Sequence, residues 1–266
     1  MYSYVFALGP LSAAAAFTWL LSLWRRNVAI VDGLWSLMFI LAAGTYAWAS
    51  QPLTPRAWLV LALVSVWGLR LSVYITWRNW GHGEDRRYQA IRARNQPNFE
   101  FKSLYLVFLL QAALAWIISL PLYGAVAHGG ELGAWDFAGA ALWLVGFCFE
   151  AGGDWQLSRF KADPANRGAV MDRGFWRYTR HPNYFGDFCV WWGFFLIALG
   201  AGAWWSAIGP ALMSVLLMRV SGVTLLERDI GERRPQYADY IRRTSAFFPA
   251  PRRAAGLTQT SSSSPR

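Results

Sequence analysis

Apolar residues in this chain fall into seven runs of about 20, at residues 4–24, 28–49, 58–77, 104–127, 135–157, 183–201 and 203–226. Runs of that length suit helices that cross a bilayer, not the half-polar stripes of a soluble bundle. The pattern predicts an all-α integral membrane domain of seven transmembrane helices over residues 1–253. Arg25-Arg26-Asn27 predicts a very tight turn after the first run. Pro52 and Pro55 mark a short loop, residues 78–102 form a polar segment, and Pro121 predicts a kink inside the fourth span. Gly129-Gly130 breaks the chain before the fifth. Residues 254–266, which end in the serine run 261–264, are expected to be a disordered tail. There is no internal repeat.

Charge orients the helices. No charge precedes the first run and Arg25-Arg26 follows it, the reverse of a signal peptide, so it reads as a retained helix. Of the 25 Lys and Arg, Arg56 alone falls on one side of the alternating topology. Arg70 and Arg219 fall within spans, and all the others lie on the opposite side. The positive-inside bias then puts the N-terminus outside and the C-terminus in the cytoplasm. The same bias accounts for the net charge of +10, which forms no stripe on a soluble face and excludes a nucleic-acid partner.

Composition narrows the chemistry. The chain is 55% hydrophobic with 17 Trp, most of them expected as interfacial or packing residues. Cys148 and Cys189 sit in apolar runs without a spacing motif and read as buried thiols. His82, His128 and His181 are too few and too scattered for a histidine-box metal site, so no metal is expected. No Rossmann glycine pattern and no Walker loop occurs.

Ionisable residues inside spans are costly unless paired or functional. Asp32, Arg70, Glu150, Asp154, Asp187, Arg219 and Glu227 all fall in the cytoplasmic half of their runs. Arg70, Tyr74 and Arg78 recur every fourth residue, so they share a helix face, and Glu150 and Asp154 share another. Such faces call for a polar interior. It is either a set of structural ion pairs, such as Asp32 with Arg70, or a cytoplasm-facing cavity that binds a polar ligand.

The run from Asp172 to Asp187 joins a basic loop to an apolar helix. Pro182 suits a first helical turn, and the unpaired N–H groups there would lie near Arg173, Arg177, Arg180 and His181. That is a place for an anion such as a phosphate.

Arg180-His181-Pro182-Asn183-Tyr184-Phe185-Gly186-Asp187 resembles the signature of the steroid 5α-reductases and sterol reductases. Glu227-Arg228-Asp229, Gln236 to Tyr240 and Phe248-Pro249 resemble their closing segment. Glu84, Asp85, Arg87 and Tyr88 resemble a Glu-Asp-x-Arg-Tyr segment of the bacterial branch. The Arg-His-Pro-x-Tyr-x-Gly core is shared with isoprenylcysteine and phospholipid methyltransferases, whereas Asn183 and Asp187 favour the reductases.

The resemblance implies a seven-helix fold that reduces the C4–C5 double bond of a 3-oxo-Δ4 steroid, or a related enone lipid, with NADPH. Residue by residue, it implies that Asn183 and Asp187 hold nicotinamide and ribose, and that Asp154 is an acidic cofactor residue. Lys161 stands at a phosphate-binding position. Arg70 and Tyr74 match an arginine-tyrosine pair of the third helix and Arg219 an arginine of the seventh. Apart from the resemblance, Arg78, Lys161, Arg173, Arg180 and Arg219 are expected to neutralise the negative charges of the cofactor, and Tyr178, His181, Tyr184 and Glu227 are further expected cofactor residues. Asp32 falls where the family has a glutamate that polarises the 3-oxo group. Trp67 stands where mammalian members have a tyrosine sharing that role, and Val223 and Glu227 replace a histidine and a tyrosine. The expected catalytic residues are therefore Asp32 and Trp67.

Hydride addition to an enone builds negative charge on the distant oxygen, so a hydrogen-bond donor placed there lowers the barrier. A carboxyl donates only when protonated, which makes Asp32 the expected protonated donor. The steroid or sterol-like lipid is expected to enter from the bilayer into a monomer whose active site faces the cytoplasm of a bacterial inner membrane. The alternatives are an S-adenosylmethionine-dependent methyltransferase of a lipid or prenylcysteine, and a non-catalytic binder or transporter.

Overall fold

The computed structural model describes residues 2–220 and 236–252. Five of its helices are long and apolar enough to cross a membrane: α1 (Tyr2–Arg25), α2 (Val28–Trp48), α3 (Pro55–Asn79), α5 (Phe99–Ile118) and α7 (Ala134–Ala162). The chain is thus an all-helical protein of the integral-membrane type. The remaining helices are α4 (Arg86–Arg94), α6 (Leu120–Ala127), α8 (Pro182–Gly200), α9 (Trp204–Val220) and α10 (Gln236–Arg243). Helices α8 and α9 occupy the sixth and seventh apolar runs. Val223, Glu227 and the expected disordered tail lie outside the described residues.

Local chemistry sets the helix ends. Arg26 ends α1 in the left-handed conformation (φ 49°), and Asn27 then accepts from the Ala29 N–H to start α2. Thr54 caps α3 by accepting from Ala57 N, with Pro55 at the first position. The polar segment 78–102 carries helix α4. Asp85 caps the Arg87 N–H at 2.9 Å and opens α4. Pro121 breaks the fourth run where a kink is expected: α5 stops at Ser119 and Pro121 sits in the first turn of α6.

The chain divides into two compact units, residues 1–147 with 188–214, and residues 148–187 with 215–266. In the first, α2 and α3 pack most extensively. Ser36 Oγ donates to Gly68 O at 2.8 Å and Ser72 Oγ donates to Gly33 O at 2.7 Å. Between lipid-embedded helices, such bonds and small residues replace the missing hydrophobic drive. Phe39, Trp67, Trp191 and Phe194 form a fully buried aromatic core, with the rings of Trp67 and Trp191 nearly perpendicular at 5.7 Å. Helices α7 and α8 meet at Gly139 and Gly193, where a Cβ on Gly139 would lie 2.6 Å from Gly193 O.

Arg56 is buried rather than solvated. It pairs with Asp136 through Nε–Oδ1 (2.7 Å) and Nη2–Oδ2 (2.9 Å) and donates to the carbonyls of Gly129 and Glu131. Near the same end of the helices, Tyr46 Oη and Ser119 Oγ are hydrogen-bonded at 2.7 Å.

In the second unit the Arg180–Asp187 signature and the closing segment pack on one another. Thr179 and Ser245 form an isolated bridge, and Arg180 N donates to Ser245 O at 2.9 Å. Thr179 Oγ1 donates to Phe247 O and Tyr240 Oη donates to Trp176 O at 2.5 Å. Trp176 Nε1 in turn donates to Gly153 O at 3.0 Å. Gly153 lets α8 start against α7, since a Cβ there would sit 3.1 Å from Pro182 Cγ.

Candidate active site

Asp32 lies in the first turn of α2, where the helix dipole favours a negative charge. Both its oxygens accept hydrogen bonds: Arg87 Nη2 donates to Oδ2 at 2.9 Å and Tyr88 Oη donates to Oδ1 at 2.5 Å. Arg87 also donates through Nε to Asp85 at 3.0 Å. Gln111 Nε2, from α5, donates to Tyr88 Oη at 3.2 Å, while Gln111 Oε1 is buried with no hydrogen-bond partner among the described residues. A π-helical stretch, Leu104–Leu109, precedes Gln111, and such bulges recur at functional sites.

Asp32 is therefore an acceptor on both oxygens, where a proton donor is expected from sequence. The pairing with Arg70 does not form: Arg87 holds Asp32 instead. Burial pushes the Tyr88 hydroxyl well above its ordinary range, and the Asp32 charge adds to this. Burial alone would lower Arg87, but the charge of Asp32 and the contacts with Asp85 outweigh it and raise the guanidinium.

Helix α4 is fastened at its other end too. Glu84 takes Arg92 Nε and Nη2, both at 2.9 Å, and the Val28 N–H at 2.9 Å. Burial would raise this carboxyl, but the Arg92 and Val28 bonds together hold it below the usual carboxylate range. Arg92 also reaches Glu100 at 2.8 Å.

The stripe on α3 forms as its spacing predicts. The Arg70 and Arg78 guanidinium groups lie 5.2 and 5.6 Å from the centroid of the Tyr74 ring. Trp67, one turn before Arg70, is fully buried in the aromatic core.

In the second unit, Asn183 Nδ2 lies 3.4 Å from Asp154 Oδ1, a long contact between a carboxamide in the first turn of α8 and a buried carboxylate of α7. The His181 ring stacks on Tyr184 at 5.5 Å. Arg180 is buried and points to the closing segment, donating through Nη1 to Ile241 O (3.0 Å) and Thr244 O (2.6 Å). Tyr178 is exposed and its carbonyl accepts from Ala250 N. Lys161 and Arg173 are exposed, Arg173 lying 5.7 Å over the Phe160 ring. Asp187 is half-buried in α8, Arg219 is exposed on the last turn of α9, and Glu227 lies outside the described residues. A carboxamide and a carboxylate beside a helix N-terminus, with cations at the surface, suit a ligand that carries both hydroxyls and negative charge.

Sequence reasoning singled out Asp32 but not its neighbours as site residues. The Glu84–Tyr88 segment carried a signal through its resemblance. Gln111 carried only the weak one of a lone carboxamide in an apolar run.

No solved structure matches the chain. An uncharacterized protein of Schizosaccharomyces pombe (strain 972 / ATCC 24843) is 27% identical over 268 residues, which cover 87% of this chain and 75% of that protein. Residues 18–244 match DUF1295, a family described as proteins of unknown function, and the chain belongs to that family.

Proposed function

We propose that this protein is an NADPH-dependent reductase of a steroid-like enone or a related membrane lipid. The observation that carries the reading is the first turn of α8, where the Arg180–Asp187 signature places Asn183 against Asp154. The family is associated with steroid 5α-reductase-like membrane proteins, which adds to it. The reading includes seven spans with the N-terminus outside, the C-terminus in the cytoplasm of a bacterial inner membrane, and an active site facing inward.

The donor set of the second unit fits the cofactor. Asn183, Asp154 and Asp187 supply acceptors and donors for a carboxamide and for ribose hydroxyls. Lys161 and Arg173 supply cations for phosphates, and the α8 N-terminus adds the positive end of its helix dipole. Arg180 Nη1 donates to Ile241 O and Thr244 O, so this residue also ties the signature to the closing segment. NADPH when bound supplies a hydride. The chain's own groups bind it, exclude water and steady the charge that develops on the substrate oxygen.

The test is NADPH oxidation by detergent-purified protein with progesterone or testosterone, with product analysis. The expected product is the saturated ketone, and NADPH alone should raise the melting temperature. Methyl transfer from S-adenosylmethionine is the second reading, favoured by the Arg-His-Pro-x-Tyr-x-Gly core. Stabilisation by S-adenosylmethionine and not by NADPH would establish it in place of the first.

A further inference from the structure

At the end of the first unit where α1 stops, the carboxylates are already taken. Arg87 holds Asp32 and Asp85, and Arg92 holds Glu84 and Glu100. Arg25, the last residue of α1, and Arg26, which follows it, have no ion pair among the described residues, and both are exposed. The Arg25 guanidinium lies over two indoles, 5.3 Å from the centroid of Trp24 and 5.7 Å from that of Trp80, just beyond α3. We propose that this corner is a binding site for the phosphate of an anionic phospholipid. Arg25 and Arg26 are its cations, and Trp24 and Trp80 are the walls that hold Arg25.

The arrangement suits a phosphate. Indoles cover the planar faces of a guanidinium and leave its edge, whose N–H groups match phosphate oxygens in pairs. The turn that carries both arginines is fixed before any ligand arrives. Arg26 N donates to Leu23 O at 3.4 Å, Asn27 N to Ser22 O at 3.2 Å, and Val28 N to the Glu84 carboxylate at 2.9 Å. Little ordering is then left to oppose binding. Arg26 itself is left-handed at φ 49°, a conformation that glycine adopts at less cost. The turn alone therefore favours glycine at position 26, whereas an anion favours arginine.

Position selects a lipid over a free anion. Arg25 and Asn79 are the last residues of two spans, α1 and α3, so the two cations stand at headgroup level. Trp24, Trp77 and Trp80, at the same two helix ends, are 77, 65 and 68% exposed. Exposed indoles at span ends belong to the membrane interface, where cations draw anionic lipids. The site lies within the first unit and uses none of the residues assigned to the cofactor, so it stands or falls apart from the reductase reading.

The experiment titrates full-length protein in neutral detergent with short-chain phosphatidylglycerol, and with phosphatidylcholine of the same chain length, followed by native mass spectrometry. Wild type should bind phosphatidylglycerol about 10-fold more tightly. Arg25→Gln and Arg26→Gly should each lose about fivefold of that affinity, and Trp80→Leu about threefold, with phosphatidylcholine binding unchanged. Arg26→Gly should melt at or above wild type without lipid, so its loss cannot come from unfolding. Should Arg25→Gln fail to fold, Arg26→Gly decides. Arg94→Gln removes an exposed cation of α4 that has no ring beside it among the described residues, and it should bind as wild type does. Equal affinity of wild type for the two lipids, or an equal loss in Arg94→Gln, would overturn the site in favour of a diffuse positive field. Inorganic phosphate that displaces phosphatidylglycerol at matched concentration would overturn the lipid as its occupant.

Discussion

The guanidinium of Arg180 closes on the carbonyl oxygen of Thr244 at 2.6 Å, and the same nitrogen reaches Ile241 O at 3.0 Å. Arginine donates here to the C-terminal carbonyls of α10, which helix geometry leaves unsatisfied. Arg180→Ala is expected to loosen residues 236–252, at a cost of about 2–4 kcal/mol from two charged hydrogen bonds. Hydrogen exchange of that segment, measured without cofactor, reads the effect. Unchanged protection would show that Arg180 is not the anchor. Arg180→Lys should rescue only in part, because an ammonium lacks the planar fork.

Lys161 makes the contrasting case, since it is exposed at the end of α7. On the proposed reductase reading, Lys161→Ala should weaken NADPH binding by about 10-fold, or about 1.4 kcal/mol. The difference from wild type should shrink as salt rises. Equal affinity in the two proteins at low salt would remove Lys161 from the proposed phosphate site.

Arg56 and Asp136 form a bidentate pair with both side chains nearly inaccessible. Removing one partner strands the other charge, so Arg56→Met or Asp136→Leu alone should cost about 3–5 kcal/mol. The double variant should recover most of that loss, because the burial penalty of both charges disappears together. Thermal melting of the four proteins in detergent gives the coupling. Additive losses would mean that the pair contributes nothing as a pair.

These residues also show where sequence reading stops. The apolar runs predict the long helices, and Arg25-Arg26-Asn27 predicts the first turn, because burial length and local backbone preference are properties of neighbouring residues. Arg56 looked like the lone charge of an outer loop, since its partner lies 80 residues away. Asp32 had two candidate cations on the same side of the topology, and the charge rule cannot choose between Arg70 and Arg87. The choice depends on α4 folding back over the start of α2, a tertiary event. Pro121 was legible as a disruption, but whether a proline kinks or breaks a helix depends on what satisfies the freed carbonyls.

The meeting of Gly139 and Gly193 is a backbone-to-backbone approach, with a Cβ on either residue falling 2.6 to 2.8 Å from the other's carbonyl oxygen. Gly139→Ala and Gly193→Ala should each destabilise the protein by about 1–3 kcal/mol, because backbone yields less readily than a side chain. Gly9 and Gly44 have open space at the same position and serve as controls. Replacing them by Ala should be neutral or slightly stabilising, through the helix propensity of alanine. A melting temperature unchanged in Gly139→Ala would mean that the helices shift apart at no cost.

Glu84 joins three elements, taking Arg92 of its own loop helix and the Val28 N–H at the start of α2, while Arg92 continues to Glu100. These contacts hold the Glu84 carboxyl below its ordinary range despite burial. A depressed carboxylate contributes stability that is fully present above its unfolded value of about 4.3. The contribution is lost as pH falls through the lower folded value. Asp85, also held low by Arg87 and by the charge of Arg78, acts in the same direction and adds to the acid loss. Wild type should therefore exceed Glu84→Gln in melting temperature by a constant margin above about pH 5, and the margin should close toward pH 3. A margin that persists unchanged to pH 3 would show that Glu84 acts by shape and hydrogen bonding alone, with no charge linkage to the fastening of α4.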